Sequence, residues 1–207
     1  MIPLLLSLSS ASSAIAGERE ISASVGLINT DDPNWTMFGS GNVLPSFGAR
    51  FAYPVLPHVK VVAGYEYAQD GSHVSVYDDT GEDGTESQFQ TGFFAHQAMV
   101  GGKVHWSASK WVSLYGIAQG DFMVATVRID DDPDDDSNPG QVERAGATGG
   151  VLAAAGVGIN VPILDGRTAW EFHAELGYGY LAPLAVEDIG QLEFSGLSFR
   201  AGTGFVF

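Results

Sequence analysis

Residues 198–207, SFRAGTGFVF, alternate between two kinds of side chain up to the last position of the chain. One side of the alternation carries Phe199, Ala201, Thr203, Phe205 and Phe207, and the other carries Arg200, Gly202 and Gly204. A period of two is typical of a β-strand whose two faces have different surroundings. The fold therefore depends on what surrounds each face.

The length and composition of the chain restrict its fold class and its possible partners. The chain has 207 residues, 27 glycines, no cysteine and a formal net charge of -16. This length suits one all-β domain. No window reaches the roughly 18 consecutive apolar residues that a membrane-spanning helix needs, which excludes helical spans but not spanning strands. The acidic balance and the lack of a basic patch exclude nucleic acid as a partner.

The first sixteen residues, MIPLLLSLSSASSAIA, form an apolar run that ends at Ala14-Ile15-Ala16. The small-x-small ending is typical of a secretory cleavage site. We therefore expect a signal peptide over residues 1–16 and a mature domain over residues 17–207. No Lys or Arg precedes the apolar run and the segment is short, so a start codon downstream of the true one and a buried first strand are the alternatives.

Eight segments show the alternation, and the connections between them are alternately long and short. The predicted strands are residues 19–29, 44–54, 58–69, 89–105, 110–128, 148–162, 167–181 and 194–207. Long polar connections cover 30–43, 70–88, 129–147 and 182–193, whereas tight turns cover 54–57, 107–109 and 164–166. In an up-and-down sheet, one end would carry the long loops and the other the short turns and both termini. Outer-membrane barrels have this asymmetry.

Most of the 25 Asp and Glu residues lie in the long connections rather than in the strands. The densest group is the run IDDDPDDDSNPG at residues 129–140. We therefore expect the negative charge to be concentrated at the end of the molecule that carries the long loops.

The second face of the strands is dominated by Gly, Ala and Ser, with single charges far apart. A water-facing surface is about a quarter to a third Lys, Arg, Glu and Asp, so this face fits a narrow barrel lumen better than the outside of a soluble barrel such as a lipocalin. The predicted lumen charge network comprises Arg50, Lys60, Glu66, Lys103, Asp121, Glu171, His173, Glu175 and Arg200. Filled charge pairs such as Arg200 with Glu175 would favour a plugged barrel, and a continuous Gly-lined gap would favour a channel. We expect His173 to be hydrogen-bonded in this network with Arg200 as a partner, and a proton-linked switch or a metal ligand are its alternatives.

Aromatic residues fall into two groups at opposite ends of successive strands. The short-turn end has Tyr53, Trp106, Trp111, Trp170, Phe205 and Phe207, and the long-loop end has Phe47, Tyr65, Tyr67, Phe93, Phe122, Tyr178 and Tyr180. Two such belts are expected at the two interfaces of a bilayer.

With these features, residues 17–207 resemble the small outer-membrane barrels of Gram-negative bacteria, of the OmpA transmembrane-domain, OmpX and OmpW type. The resemblance implies an all-β, eight-stranded, antiparallel up-and-down transmembrane barrel with extracellular long loops and periplasmic termini. It also implies that the ending, with Phe199, Phe205 and Phe207, is an assembly signal read by the barrel-assembly machinery. Outer-membrane lipids and lipopolysaccharide are the other implied partners.

Two motifs have possible chemistry. Carboxylates at Asp130, Asp131, Asp132, Asp134, Asp135 and Asp136 suit weak calcium or magnesium binding, but the spacing of an EF-hand is absent. We expect no other cofactor. Some eight-stranded barrels are lipid A hydrolases or acyltransferases that use a His and a Ser at the outer leaflet, and the pairs His73 with Ser75 and His105 with Ser107 are the candidates for this role. Such pairs are common by coincidence, and only His73 and Ser75 are at the correct end.

The sequence thus favours a non-enzymatic outer-membrane barrel with acidic extracellular loops that contributes to envelope integrity or surface interaction. A narrow channel for ions or small hydrophobic molecules is the first alternative, and a lipid-modifying enzyme is the second. The sequence identifies no extracellular ligand.

Overall fold

The computed structural model describes residues 18–30, 32, 35, 37–39, 41–78, 85–130, 142–163, 168–187 and 189–207. The expected signal peptide, the turn at 164–166 and the acidic residues Asp131 to Asp136 lie outside the described residues. Among those that are described, no helix is long and apolar enough to cross a membrane.

Eight strands form one closed antiparallel barrel, as the alternation predicts. They are β1 (Glu20–Asn29), β2 (Val43–Leu56), β3 (Val59–Asp78), β4 (Thr85–Ser107), β5 (Val112–Asp130), β6 (Val142–Ile163), β7 (Thr168–Leu181) and β10 (Gly196–Val206). Each strand pairs with its neighbours along the chain, and β10 closes the ring on β1. The eight-stranded up-and-down prediction is confirmed.

Closure joins the two ends of the chain. Glu20 on β1 lies opposite Val206 on β10. Just beyond this pair, the backbone N–H of Phe207 donates to the Arg19 carbonyl at 2.9 Å, and the Arg19 N–H donates back to Phe207 at 2.7 Å. The last strand is therefore paired along both edges, so the barrel has no free edge at this seam.

Three strands extend further toward the long-loop end than the alternation predicts. β3 continues to Asp78, β4 begins at Thr85 and β6 begins at Val142. β3 and β4 stay paired to each other up to Asp78 and Thr85, beyond the last pairing of β3 with β2 at Ala68. Hydrogen bonding between these strands continues where the apolar alternation ends, and for that reason the sequence pattern underestimates their length.

The predicted loop over residues 182–193 contains an unexpected hairpin. β8 (Leu184–Val186) and β9 (Gly190–Leu192) form a separate two-stranded sheet. Each strand has three residues, too few for alternation to reveal them.

The barrel is apolar outside and charged inside. Val100 and Leu176 on the outer face are each 61% exposed, whereas Lys60 and Arg200 in the interior are 0% and 2% exposed. Such an exterior is suited to a lipid environment, because in water it would form an apolar surface far larger than soluble proteins expose. The alternation of residues 198–207 thus separates a lipid-type face, with Phe199, Phe205 and Phe207, from the interior.

Aromatic side chains lie on the outer face near both ends. Trp106 and Phe207 are exposed at the short-turn end, and Tyr65 and Tyr178 toward the long-strand end. The assignment of Phe93 to the second belt is wrong, because Phe93 is fully buried inside the barrel. Phe93 and Phe94 are adjacent, so one of them must point inward, and apolar character alone does not tell which.

Candidate functional site: the barrel interior

The structure places all nine predicted lumen residues inside the barrel. Each is at most 8% exposed: Arg50, Lys60, Glu66, Lys103, Asp121, Glu171, His173, Glu175 and Arg200. Most of them form two groups at different heights, which we call the lower and the middle ion layer, and an apolar region lies above them.

The lower ion layer, nearest the termini, consists of Glu20, Lys60, Lys103 and Glu171. Lys103 Nζ lies 2.7 Å from Glu20 Oε2 and 3.9 Å from Glu171 Oε1, and Lys60 Nζ is bonded to Glu20 Oε1. Glu20 thus joins β1 to β3 and β4 across the lumen. Sequence reasoning missed Glu20 because it is the first residue of its strand, where the phase of the alternation is hardest to read.

The middle ion layer consists of Arg50, Glu66, Glu175 and Arg200. Arg50 Nη1 donates to both carboxylate oxygens of Glu175, at 2.7 and 2.8 Å. Arg200 makes two hydrogen bonds to Glu66, from Nε at 2.5 Å and from Nη2 at 2.9 Å. Hydrogen bonds between a guanidinium and a carboxylate are stronger than hydrogen bonds between neutral groups, and each of these two pairs has two of them. The layer therefore ties β2 to β7 and β3 to β10.

The pair of Arg200 with Glu175 does not form. The two residues are direct neighbours in the register of β10 and β7, but Arg200 extends the other way, across the lumen to Glu66. Its side chain passes over Gly26 on β1, where an added Cβ would be 3.3 Å from Arg200 Cγ. Gly26 leaves open the path that takes the guanidinium away from its nearest carboxylate.

Glycines opposite the long interior side chains supply the space that those side chains occupy. A Cβ on Gly48 would lie 2.6 Å from Glu66 Cγ, and one on Gly156 would overlap the Tyr115 ring. In both cases the glycine is the cross-strand partner of the larger residue. The small residues of the lumen face therefore pair with its larger side chains to fill the narrow interior.

Neutral side chains complete the polar region. Tyr115 Oη donates to Glu175 Oε1 at 3.1 Å, and Gln119 Nε2 donates to Asp121 Oδ1 at 2.8 Å. Neither Tyr115 nor Gln119 is among the predicted lumen residues, although both share the inward phase of β5 with Asp121. The inward phase of the alternation along β5 could therefore have predicted both residues from the sequence.

His173 does not make the expected contact with Arg200. Its Nδ1 lies 3.8 Å from Glu171 Oε1 and has no hydrogen-bond partner among the described residues. The residue faces Gly202 on β10 and Gly158 on β6 in the register. His173 therefore lies between the two ion layers, and its Nδ1 forms no hydrogen bond to either layer.

Above the middle layer the interior becomes apolar. This apolar cap contains Trp35, Phe38, Leu44, Phe93, Met123, Leu184, Leu192 and Phe194, all nearly fully buried. The Trp35 ring meets Phe93 edge-on at a centroid distance of 5.0 Å, and meets Phe194 at 5.3 Å. The cap thus combines wall residues with residues from the first and last long connections.

Hydrogen bonds hold the cap to the wall and its segments to each other. Thr91 Oγ1 on β4 donates to the Met37 carbonyl at 2.5 Å. The Glu193 N–H donates to Asp32 Oδ2 at 2.6 Å and joins the last long connection to the first. On β6, Thr148 Oγ1 donates to the Ala182 carbonyl at 2.5 Å. The mouth of the barrel is therefore filled by a packed segment.

Two cavities between these layers are water-sized. One of about 20 Å³ lies between the ion layers, beside Lys103, Tyr115 and His173. Another of about 20 Å³ lies below the cap, beside Asp121 and Phe194. Each volume suits about one water molecule.

Comparison with known proteins supports the architecture. No family model matches the sequence, and no curated protein matches it. Among solved structures, the chain is similar to Ail, the attachment invasion locus protein of Yersinia pestis, at 15% identity over 92% of this chain and 99% of that one, with a TM-score of 0.50. The fold is that of a small outer-membrane barrel.

Two further similar structures have lower TM-scores. A major outer membrane protein from Thermus thermophilus is 13% identical over 91% of this chain and 99% of that one, with a TM-score of 0.48. Neisserial surface protein A is 12% identical over 91% of this chain and 95% of that one, with a TM-score of 0.43.

The two histidines of the predicted His–Ser pairs lie at opposite ends of the barrel. His73 is exposed on the outer part of β3, and the side chain of Ser75 lies outside the described residues. His105 is buried at the short-turn end, with its ring 5.8 Å from that of His58. Asp130 ends β5, and the described part of the chain contains no group of three or more His, Asp or Glu side chains placed to bind a metal.

Proposed function

We propose that the protein is a non-enzymatic outer-membrane barrel, closed to passage, that contributes to envelope integrity or surface interaction through the segments at its long-strand end. The observation that supports this best is the filled interior: two ion layers and an apolar cap, with water-sized cavities between them.

Energetics support a closed scaffold. A solute passing through the middle layer would have to separate Arg50 from Glu175 or Arg200 from Glu66. Separating a buried pair exposes an uncompensated charge, at a cost of about 3–5 kcal/mol. It would then have to displace the buried Trp35 and Phe194 side chains. The two barriers lie in series.

The proposal includes export, orientation and partners. Residues 1–16 act as a signal peptide, the termini face the periplasm, and the long-strand end faces outward with its acidic segments. Phe199, Phe205 and Phe207 all face the lipid side, which fits a signal presented to the barrel-assembly machinery. Lipopolysaccharide surrounds the outer half, and calcium or magnesium binds weakly at Asp130 to Asp132 and Asp134 to Asp136.

A deletion strain tests this function. We expect loss of the protein to increase sensitivity to detergents or to reduce surface attachment, and the full chain to restore the wild-type phenotype. A chain with the six aspartates at 130–132 and 134–136 changed to Asn should restore it poorly, at an equal level of assembled barrel. Full restoration of the wild-type phenotype by that chain would show that the acidic segment is not needed. A deletion strain with unchanged detergent sensitivity and surface attachment would contradict the proposed function.

A narrow conduit is the second candidate, because the middle layer has a built-in alternative pairing. Arg50 Nη2 lies 3.8 Å from Glu66 Oε1 while its Nη1 is bonded to Glu175. Exchange of partners within this group could open a path beside it. This conduit would pass ions or small hydrophobic molecules, and ion flux across vesicles that contain the barrel would favour it over the scaffold.

Lipid modification is the third candidate and has the least support. It would require His73 and Ser75 to act together on an exposed extension of β3. An unchanged lipid A profile in the deletion strain would eliminate this candidate. If the deletion strain and the His73→Ala variant both lacked the same lipid A modification, lipid modification would replace the scaffold proposal.

A further inference from the structure

Among the described residues, the barrel interior has one more carboxylate than it has cations. The cations are Arg50, Lys60, Lys103 and Arg200, and the carboxylates are Glu20, Glu66, Asp121, Glu171 and Glu175. Every cation is paired with a carboxylate of its own ion layer. Asp121 belongs to neither layer and forms no ion pair with a described residue.

Asp121 lies on β5, at the boundary between the middle ion layer and the apolar cap. It is 8% exposed and lines the small cavity below the cap together with Leu152 and Phe194. Its cross-strand partners are Met99 on β4 and Gly150 on β6. An ionised carboxylate in such surroundings is costly unless a cation accompanies it, and a buried group of this kind is neutralised by a proton instead.

The Gln119 amide is placed to pair with a neutral Asp121. Its Nε2 donates to Asp121 Oδ1 at 2.8 Å and to Met99 Sδ at 3.3 Å, which uses both N–H groups. Oε1 of the same amide is buried and has no hydrogen-bond partner among the described residues. An ionised carboxylate only accepts hydrogen bonds, whereas a protonated one has an O–H group that can donate to this oxygen.

The other groups around Asp121 supply no free charge. The charged side chains that act on it belong to the middle ion layer: Arg50, Glu66 and Arg200. β1, β4, β6 and β7 line the cavity beside it with uncharged residues, including Ile28, Gln97 and Gly179. His173 lies on the other side of the middle layer, next to Glu171.

Glu171 in the lower ion layer is the competing position for the extra charge, because both lysines of that layer are bonded to Glu20. Lys103 Nζ still lies 3.9 Å from Glu171 Oε1, and His173 Nδ1 lies 3.8 Å from the same oxygen. Asp121 has no comparable ion pair among the described residues. The extra charge is therefore least compensated at Asp121.

We propose that Asp121 holds a proton in the folded barrel and that its carboxylic acid forms a neutral pair with the Gln119 amide. The proton comes from solvent as the barrel folds. It lies on Asp121 Oδ2 and is donated to Gln119 Oε1, while Oδ1 accepts from Nε2. This pair removes the extra negative charge and satisfies the buried amide oxygen.

The proton also protects the middle ion layer. Asp121 and Arg200 line the same cavity, and Arg200 is bonded to Glu66. Loss of the proton would give Arg200 a second carboxylate that competes with Glu66. The pairing in the middle ion layer is thus sensitive to pH through Asp121.

Infrared spectroscopy tests the proton directly. The full chain is refolded into micelles of an alkyl glucoside, which has no carbonyl group, at about pH 7, where exposed carboxyl groups are ionised. We expect a C=O stretching band of a protonated carboxyl group in the wild type and in Glu171→Gln, and its loss in Asp121→Asn. Loss of the band in Glu171→Gln instead would assign the proton to Glu171 and overturn the proposal.

A wild-type spectrum without this band would also overturn the proposal. Stabilisation of the barrel by sodium chloride over choline chloride would then assign the neutralising charge to a bound cation.

Urea unfolding at different pH values provides the second test. Asn offers an NH₂ group and a C=O group where the protonated acid offers O–H and C=O, so Asp121→Asn should be at least as stable as the wild type at about pH 7. The folded wild type holds a proton that the unfolded chain has released, and raising the pH therefore favours unfolding. Relative to Asp121→Asn, the wild-type unfolding constant should rise by up to about tenfold per pH unit until the folded barrel releases the proton.

Two results of the unfolding experiment would contradict the proposal. A strong loss of stability in Asp121→Asn at about pH 7 would show that the barrel needs the Asp121 charge. The same pH dependence in the wild type and Asp121→Asn would show that Asp121 takes up no proton on folding.

Discussion

The two ion layers of the interior and the apolar cap fill the same barrel by different physical means. In the middle ion layer, four charged side chains reach across the lumen and make pairs between strands that are far apart in sequence. In the cap, Trp35, Phe93 and Phe194 pack ring against ring, as in the core of a soluble protein. The cap includes residues from the connections, whereas the ion layers belong to the strands alone.

This difference teaches how each region should respond to substitution. A buried ion pair depends on its partner: removing one member leaves an unpaired charge, whereas replacing both members with apolar residues can be neutral. An apolar cluster responds to lost volume, and each deleted group costs its transfer free energy plus the cavity left behind. The ion layers should therefore show strong pairwise coupling, and the cap should show graded losses.

The largest effect is expected in the middle layer. Glu66→Gln keeps the shape but leaves Arg200 without its carboxylate, and we expect a loss of about 3–5 kcal/mol in the free energy of unfolding. Urea unfolding of the vesicle-inserted barrel measures it. The double variant Glu66→Met, Arg200→Met should lose far less than the sum of its single variants, and simple additivity would contradict the pairing.

In the cap, Leu184→Ala should cost about 2–4 kcal/mol, because Leu184 is fully buried on β8. Leu184→Met, which nearly conserves volume, should cost less than about 1.5 kcal/mol. The same urea unfolding experiment compares them. If the two variants were equally destabilised, the cap would not behave as a packed core and the contrast with the ion layers would disappear.

A smaller effect is expected where a glycine accommodates an interior side chain. Gly156→Ala would place a Cβ against the Tyr115 ring and should cost about 1–3 kcal/mol through overpacking. Gly179→Ala is the matched control, because its Cβ would meet Leu152 at an ordinary 3.6 Å. Equal stability of the two variants would show that Tyr115 moves aside freely and that the lumen is loosely filled.

The smallest effect on the folded barrel is expected at the end of the chain, outside both regions. Phe207 is 48% exposed on the outer face, and Phe207→Ala should change the free energy of unfolding by less than about 1 kcal/mol. In cells, the same variant should reduce the amount of assembled barrel, as an assembly signal would require. Normal assembly would show that the terminal aromatic is incidental.

The sequence predicts the barrel well because one physical rule, the alternation between lipid and lumen, operates along every long strand. Lys60, Lys103 and Arg200 could be placed inside for this reason. Their ion-pair partners could not be predicted, because a long side chain in the lumen can reach several carboxylates at similar distances. The choice of Glu66 over Glu175 by Arg200 depends on the path over Gly26.

The cap was harder to foresee. Trp35 and Phe194 lie in or beside connections that read as polar loops, and the strands of the β8 and β9 hairpin have three residues each. Nothing in local periodicity shows that these residues enter the barrel mouth. Only the closed barrel, with an apolar upper wall at Leu44, Phe93 and Met123, creates the surface that buries them.

The most direct test of the closed interior is the conductance of the folded barrel, residues 17–207, in a planar lipid bilayer. The account predicts no reproducible conductance steps from a barrel shown by protease resistance to be inserted. Steps from the wild-type barrel that grow when Arg200 or Glu175 is truncated would contradict it, and would show that the middle ion layer gates a conduit.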